Sequence, residues 1–301
     1  MEHPDNFRNP PVNDKERNEK QVSGKLGFTM SPSRWFNVRG AYAEGLGGVS
    51  FDESVRLEPS QVAGFSQAYR TILSESIAGS VEAPRFKTWG LGIDGMLPSR
   101  TWWGANFKVI SQDVDRTIGA FSGYDLGVFP NSPAYFPDGT SQRLDYRECS
   151  FGATLNQLLG DEFALGLGYQ ITRSKLDTAY PELPANPVLA PEAVDQATLH
   201  QFSVFGTWNS PSGWFARAEA NWFSQNLQDD PRGLAAGASP RDGDSFWQFN
   251  ALLGYRFWRN QGEVSLGVLN IANTDYQLSP LNPYGEIVRG RTAVMTCRLS
   301  F

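Results

Sequence analysis

Apolar and polar residues alternate along most of this chain from Gln21 onward, in segments of roughly ten residues. The clearest segment has the sequence WFARAEANW, at positions 214–222, in which apolar residues occupy every second position. Arg217, Glu219 and Asn221 take the positions between them. Because successive side chains of a β-strand point to opposite faces, the pattern predicts a strand with one apolar and one polar face.

The same alternation recurs in further segments, and it predicts about eleven strands, the last running from Ile287 to Phe301. One face of these segments carries large apolar side chains, which include Val22, Leu26, Phe28, Met30, Phe36, Val38, Tyr42, Trp89, Leu91, Ile93, Trp103, Phe107, Val109, Phe163, Leu165, Leu167, Tyr169, Trp247, Phe249, Leu253, Tyr255 and Phe257. The other face carries polar side chains, among them Lys25, Arg39, Asp94, Asn106, Lys108 and Gln170.

Short and long connections alternate between these segments. The short turns are rich in the residues that tight turns need, and they fall at 31–33, 98–100, 160–161, 210–213 and 259–262. The long loops fall at 46–80, 114–142, 176–195, 226–243 and 277–286. An antiparallel sheet with this rhythm has its short turns at one end and its long loops at the other, as outer-membrane barrels do.

Two fold classes produce such alternation, a membrane-spanning barrel and a soluble all-β fold. Large aromatic residues at the ends of the apolar face, small residues on both faces and long loops on one side favour the barrel. We therefore predict an all-β fold, a transmembrane antiparallel β-barrel in a bacterial outer membrane. Residues 21–301 would form its strands, and residues 1–20 a polar extracellular lead or loop.

The odd number of predicted strands bears on the completeness of the barrel. A strand that ends at Phe301 on the periplasmic side implies a first strand that begins outside, whereas single-chain barrels have an even number of strands. Residues 1–20 also lack the apolar core and cleavage site of an export signal. We expect the C-terminal part of a larger barrel, closed by upstream strands rather than by the charged, proline-containing segment 1–20.

The composition of the chain argues against several classes of protein. The chain has no apolar run long enough for a membrane helix, and its net charge is −6 without a basic patch of interleaved aromatic residues. Nucleic acid is therefore an unsuitable partner. Two cysteines, Cys149 and Cys297, and two histidines, His3 and His200, have no metal-ligand spacing. We expect no metal, no cofactor and no enzymatic activity.

Charged residues on the predicted polar face are the first candidate functional residues. In lipid they would be costly, so we expect them to line an aqueous interior, where they tune solute passage or form paired wall residues. The candidate lumen residues are Lys25, Arg39, Lys108, Arg217, Glu219 and Arg298.

Three further features have competing interpretations. His200 shares a face with Phe202 and Val204, so it fits either the histidine of a lipid hydrolase or an interfacial polar residue, and we assign it no catalysis. The loop acids match no calcium-loop spacing and are interpreted as solvated charge; they are Asp113, Asp115, Asp229, Asp230, Asp242 and Asp244. The spacing of Val62, Phe65, Tyr69 and Leu73 predicts a short helix over the barrel mouth.

The C-terminal segment resembles a known family. Residues 265–276, SLGVLNIANTDY, resemble the penultimate strand of TonB-dependent receptors, and residues 289–301 resemble their terminal strand, which ends in an aromatic residue. The resemblance implies that residues at alternating positions of the last strand form an outward-facing signal for the outer-membrane assembly machinery. These residues are Met295, Cys297, Leu299 and Phe301.

The resemblance implies a barrel of 22 strands, of which the chain would supply half. Its expected role is TonB-dependent uptake of a scarce nutrient. The expected partners are outer-membrane lipid, the assembly machinery and an upstream barrel and plug, and TonB would act through the plug. No plug or TonB-contacting segment is present in the sequence. Residues 56–65 resemble a loop of receptor-like barrels attached to tetratricopeptide proteins. The alternative role is therefore a non-transporting anchor barrel for an upstream soluble repeat domain.

Overall fold

The computed structural model describes residues 22–46, 61–66, 85–125, 133–183, 191–228, 243–258, 261–284 and 287–300. The predicted lead at 1–20, the first barrel residue Gln21 and the terminal Phe301 lie outside them. The described residues form strands, turns and irregular segments, and none of them belongs to a helix able to span a bilayer.

The strands follow one another along the chain. They are β1 (Lys25–Ser33), β2 (Phe36–Leu46), β3 (Gln61–Val62), β4 (Phe65–Ser66), β5 (Arg85–Leu97), β6 (Thr101–Asp125), β7 (Pro133–Leu159), β8 (Phe163–Ala179), β9 (Glu192–Asn209), β10 (Trp214–Gln228), β11 (Ser245–Phe257), β12 (Gly262–Leu269) and β13 (Thr292–Leu299).

Eleven of these strands form one antiparallel sheet in the order β1-β2-β5-β6-β7-β8-β9-β10-β11-β12-β13, and β3 pairs only with β4. The predicted all-β fold with eleven antiparallel strands is confirmed. Because each strand pairs with its neighbours in the chain, connections alternate between two ends of the sheet, which we name the turn end and the loop end. Among the described residues β1 and β13 pair on one side only, so they form the two edges.

The turn end departs from the prediction at its first hairpin. The turn lies at Arg34 and Trp35 rather than at 31–33, because β1 continues through Ser33. An irregularity in pairing between Met30 and Ser33 accommodates Pro32, which lacks an N–H donor and is tolerated on an edge strand. Turns at 98–100, 160–162 and 210–213 agree with the prediction, while residues 259–260 lie outside the described residues.

One of the predicted loops is largely strand. Most of 114–142 continues β6 and β7, which pair with each other from Thr101↔Gln157 to Asp125↔Pro133. Beyond Asp113 β6 pairs with β7 alone among the strands that the structure describes, so these two strands extend as a ribbon. Polar pairs hold it, such as Arg143 Nε to Asp115 Oδ1 at 2.8 Å. The apolar residues Val114 and Ile118 share one face of the ribbon but are separated by Arg116, so the alternation is interrupted and the sequence predicted a loop.

The connection that follows β8 and the start of β13 also differ from the prediction. Strands β8 and β9 extend to Ala179 and from Glu192, so the connection is shorter than the predicted 176–195. The last strand begins at Thr292 instead of Ile287, because residues 287–289 hydrogen-bond to side chains of the β12–β13 connection.

The predicted helix at 62–73 is wrong where the structure describes it. Residues 61–66 form the β3–β4 hairpin, whose turn residues Ala63 and Gly64 have φ angles of 47° and 78°. Phe65 is buried against the polar face of the main sheet, beside Gly90, where an added Cβ would lie 2.5 Å from its ring. Tyr69 and Leu73 lie outside the described residues.

The pairing register gives the main sheet two distinct faces. One, the apolar face, carries Phe28, Trp89, Phe107, Phe151, Leu165, Trp214, Leu253, Leu266 and Met295, all of them exposed. The other, the polar face, carries every buried non-glycine residue of the eleven strands. Those buried residues include polar ones, which are Gln112, Thr140, Gln142, Glu148, Ser150, Thr172, Ser174, Gln225, Gln248 and Ser265.

The connection between β12 and β13 folds back across the polar face. Its residues 279–283, which we name the strap, reach β7 through Leu281 and β10 through Asn282. Leu281 packs into a buried cluster with Tyr146 and Ala197. The core of the molecule therefore lies between the strap and the polar face.

Candidate functional site

The six candidate lumen residues all lie on the polar face. The register connects Arg39 of β2 with Gly92, Asn106 and Gly152 of the following strands, and the same face continues to β13. These residues are Lys25, Arg39, Lys108, Arg217, Glu219 and Arg298. Arg217 pairs with Glu219 at 3.0 Å. Both interpretations of the set, residues that tune solute passage and paired wall residues, stay predictions. The exposure of these side chains to an aqueous interior also stays a prediction.

Arg39 holds the β3–β4 hairpin on the polar face. Its Nε donates to Asp94 Oδ1 at 3.1 Å, and its guanidinium lies 4.9 Å from the ring centre of Phe65. Asp94 also accepts a hydrogen bond from Asn37 Nδ2 at 3.4 Å. An ion pair flanked by an aromatic ring fixes both partners, and the hairpin is thereby positioned over β2 and β5.

A polar groove lies on the same face at the turn end. It encloses about 430 Å³ and is lined by side chains of β2, β5, β6 and β7, which include Asn37, Arg39, Asp94, Trp102, Asn106, Thr154 and Asn156. Gly104 also lines the groove, where an added Cβ would lie 3.4 Å from Thr154 Oγ1. Amides, a hydroxyl and an exposed indole in one groove can contact a polar solute from several sides.

The strap is tied to the polar face by a buried hydrogen-bond network. Tyr146 Oη donates to Glu148 Oε2 at 2.7 Å, and Glu148 is 2% exposed. Asn282 Nδ2 donates to Ser174 Oγ at 3.1 Å and to the carbonyl oxygen of Ala197 at 3.2 Å.

Gln225 completes this network from β10. Its Nε2 donates to Asn282 Oδ1 at 3.0 Å, and its Oε1 accepts from the Ser279 amide at 2.6 Å. No sequence pattern indicated the network, because its members are isolated polar residues on different strands.

The residues that carry the family resemblance have a structural role. Asn270 is fully buried with a φ of 49°, and its Nδ2 donates to the carbonyl oxygens of Thr274, Val288 and Arg289 at 2.7 to 3.2 Å. Tyr276 stacks on Phe246 with ring centres 5.1 Å apart. These contacts fasten both ends of the β12–β13 connection to each other.

The candidate assembly signal lies on the apolar face as far as the structure describes it. Met295, Cys297 and Leu299 share one face of β13 and pair with Leu266, Val264 and Gly262 of β12. All three are exposed, Met295 by 69%. Phe301, the fourth member, lies outside the described residues. Recognition by the assembly machinery stays a prediction.

Aromatic residues mark both margins of the apolar face. At the turn end Trp214 of β10 lies against Tyr255, with ring centres 5.1 Å apart. Toward the loop end Trp222 of the same strand lies 6.5 Å from His200, whose Nδ1 is 2.8 Å from Tyr169 Oη. Eight residue steps separate the two tryptophans, about 27 Å at the rise of an antiparallel strand.

His200 therefore belongs to the aromatic margin. Ser224 lies directly opposite it on β10, but within the described part of the chain no hydrogen bond joins the two side chains. The histidine is oriented by a tyrosine instead.

The loop acids are only partly described, since Asp229, Asp230 and Asp242 lie outside the described residues. Asp115 pairs with Arg143, and Asp244 Oδ2 accepts from the Gln277 amide at 2.7 Å. Across the described ranges no three acidic, histidine or cysteine side chains come together as a metal site would require.

No model of a protein family matches the chain, and no curated protein matches it. Its structure is similar to that of a FadL homologue from Pseudomonas aeruginosa, an outer-membrane β-barrel, at 13% sequence identity and a TM-score of 0.41. The alignment covers 82% of this chain and 59% of that one, so the chain spans less than two thirds of its neighbour's length. This distant likeness indicates nothing about function, and it gives no support to the TonB-dependent receptor type.

Proposed function

We propose that this chain forms part of the wall of an outer-membrane transport barrel, with its apolar face in lipid and its polar face toward an aqueous interior. The observation that carries the proposal is the inverted burial of the sheet. Large apolar side chains are exposed on nine of the strands, one example from each being Leu26, Leu91, Phe107, Phe151, Leu165, Trp214, Leu253, Leu266 and Met295. The buried polar side chains lie on the opposite face.

Water is a poor solvent for such a sheet. Burying one Leu or Phe side chain is worth about 1.5–3 kcal/mol, so this apolar face would carry a large free-energy penalty in water and none in hydrocarbon. Because strands of such barrels tilt by about 35–45°, the separation of Trp214 and Trp222 corresponds to about 19–22 Å of membrane height, close to an apolar band about 25 Å tall with an aromatic girdle at each margin. Both features support immersion of the apolar face in a bilayer.

The finer proposal is that the barrel is of the TonB-dependent receptor type and takes up a scarce nutrient when joined to a plug. It rests on the resemblance of residues 265–276 and 289–301 to that family. The turn-end groove supports contact with a polar solute, because its amides and Trp102 face away from the apolar side.

The second candidate function is a non-transporting anchor barrel, and the strap favours it. Leu281 and Asn282 are buried on the polar face, where they occupy space that a solute would need. The resemblance of residues 56–65 to barrels attached to repeat proteins points the same way.

Membrane immersion is tested with nitroxide labels on β10. The background is Cys149→Ser/Cys297→Ser. Ala220→Cys places a label on the apolar face, and Asn221→Cys, at the adjacent position, places a matched label on the polar face. In phosphatidylcholine vesicles we expect oxygen to collide more often with label 220 and a water-soluble nickel chelate with label 221. Equal exposure of both labels to the chelate, or a monomer that stays soluble without detergent, would contradict the proposal.

Transport and anchoring are separated by conductance across a planar bilayer. Asn282→Ala combined with Gln225→Ala releases the strap from the polar face. For a transport barrel we expect this double variant to conduct ions better than the unaltered chain. Absence of conductance in both proteins would favour the anchor.

A further inference from the structure

Three cationic side chains cluster on the apolar face near the loop end. Arg147 of β7 lies directly opposite Lys175 of β8, and Arg173 lies opposite Cys149. All three cations are exposed, and they line a groove of about 410 Å³. β9 and β10 add further polar side chains to the groove, which are Gln196, Thr198, Asn226 and Gln228.

Two of the three cations form no ion pair within the described ranges of the chain. Lys175 Nζ lies 2.7 Å from Asp177 Oδ2, whereas Arg147 and Arg173 make no ion pair with any residue that the structure describes. Like charges at directly opposite positions of neighbouring strands destabilise a sheet. An anion bound between Arg147 and Lys175 would remove that repulsion.

The groove begins where the aromatic margin ends. On β8 the order along the apolar face is Tyr169, Ile171, Arg173 and Lys175, and on β9 Thr198 follows His200. Each step of two residues advances about 7 Å along a strand. Arg173 therefore lies about 14 Å beyond Tyr169 along the strand, and Lys175 with its partner Arg147 about 20 Å beyond it, on the headgroup side of the apolar band.

We propose that this groove binds the phosphomonoester headgroup of a membrane lipid in the leaflet at the loop end. The inference rests on the proposed membrane immersion of the apolar face. A phosphomonoester carries about −1.5 to −2 charge at neutral pH and three acceptor oxygens. Two guanidinium forks match those oxygens, and the amides of Gln196 and Asn226 can donate to hydroxyl groups beside the phosphate.

An acidic row sets the outer limit of the site. Asp113, Asp145 and Asp177 are consecutive cross-strand partners on the same face, one two-residue step farther from the aromatic margin. They would repel a phosphate group that moved outward. An anion is thus confined to the level of the cations, which suits a headgroup anchored by its acyl chains more than a free anion.

The test uses spin-labelled lipids and the full chain in phosphatidylcholine vesicles. Electron spin resonance measures the fraction of labelled phosphatidic acid, phosphatidylglycerol or phosphatidylcholine that is motionally restricted by the protein. We expect phosphatidic acid to be preferred over phosphatidylcholine by about fivefold for each free arginine, the value of one cation near a charged surface. Phosphatidylglycerol, with one charge, should be intermediate.

The variant Arg147→Gln/Arg173→Gln should lose this preference. The matched control, Lys108→Gln/Arg217→Gln, removes two positive charges from the polar face and should retain it. Millimolar inorganic phosphate should not displace the labelled lipid. Loss of preference in both double variants, or none in the unaltered chain, would overturn the inference.

Two other outcomes have distinct meanings. Equal preference for phosphatidic acid and phosphatidylglycerol would reject the phosphomonoester and leave only attraction to charge. Absence of any motionally restricted lipid, for all three probes, would contradict membrane immersion and with it the inference. The spectra therefore distinguish a wrong proposal of membrane immersion, which gives no restricted lipid, from a wrong proposal of this lipid site, which gives restricted lipid without the expected preference.

Discussion

At the scale of single residues, Asn270 does the most to fix the connection that carries the strap. Its backbone has a φ of 49°, a conformation that asparagine adopts more readily than most residues. Its Oδ1 accepts from the Thr274 amide at 2.9 Å while its Nδ2 donates to carbonyl oxygens from both ends of the connection. Backbone pairing between β12 and β13 ends at Leu269 and Thr292. Beyond that point the buried side-chain amide of Asn270 holds the two chain segments together.

We predict that Asn270→Ala lowers the free energy of unfolding by about 2–4 kcal/mol, because it leaves buried backbone groups without partners. Asn273→Ala is the matched control. Asn273 has a similar φ of 56°, is exposed, and accepts one hydrogen bond from the Arg291 amide. Urea unfolding in lipid vesicles measures both variants. Equal destabilisation would show that the backbone conformation matters, and not the buried hydrogen bonds.

The face of the sheet on which a side chain lies was predictable from the sequence, whereas the side chains that it contacts were not. A period of two places Arg39 and Lys108 on the polar face without any knowledge of the fold. It cannot reveal that Arg39 contacts Phe65 or that Gln225 contacts Asn282, since those partners come from connections with no periodicity of their own. The network under the strap was therefore absent from the sequence prediction.

At the scale of the strand, alternation predicted the elements well only where one face is apolar. Strand β10 was predicted from Trp214 to Trp222 and continues to Gln228. The β6–β7 ribbon was predicted as a loop because Arg116 interrupts the apolar positions Val114 and Ile118. Pro32 suggested a turn although an edge strand tolerates proline. The β3–β4 hairpin produced an apparent helical spacing because Val62 and Phe65 are paired across its turn.

We predict that a charge on the apolar face of β10 is costly and that the same charge on its polar face is not. Ala218→Arg, midway between the two tryptophans, should lower the free energy of unfolding in vesicles by about 2–4 kcal/mol. The neighbouring change Asn221→Arg should cost less than about 1 kcal/mol, since that side chain faces the polar side. If urea titration gave equal losses of unfolding free energy for the two variants, both faces of β10 would lie in the same solvent.

At the scale of the whole molecule, the two edges of the sheet are the dominant energetic problem. The strand order leaves β1 and β13 at opposite ends, and unpaired backbone N–H and C=O groups in hydrocarbon cost several kcal/mol each. If the apolar face lies in lipid as proposed, the two edges of the described sheet would lie there too, and their unpaired backbone groups would be costly. Pairing of the two edges, with each other or with further strands, would remove this cost.

We predict that in a bilayer the edges of this chain pair with a second copy when no other strands are supplied. In a Cys149→Ser background, Phe28→Cys adds a thiol to β1, and the exposed Cys297 provides one on β13, both on the apolar face. A flexible bis-maleimide should produce a species of two chains on a denaturing gel, because β1 of one copy lies beside β13 of another. Variants that carry only the β1 thiol or only the β13 thiol should give far less of it. A cross-linked single chain, of unchanged mass and altered mobility, would show instead that β1 reaches β13 within one molecule and that eleven strands close alone.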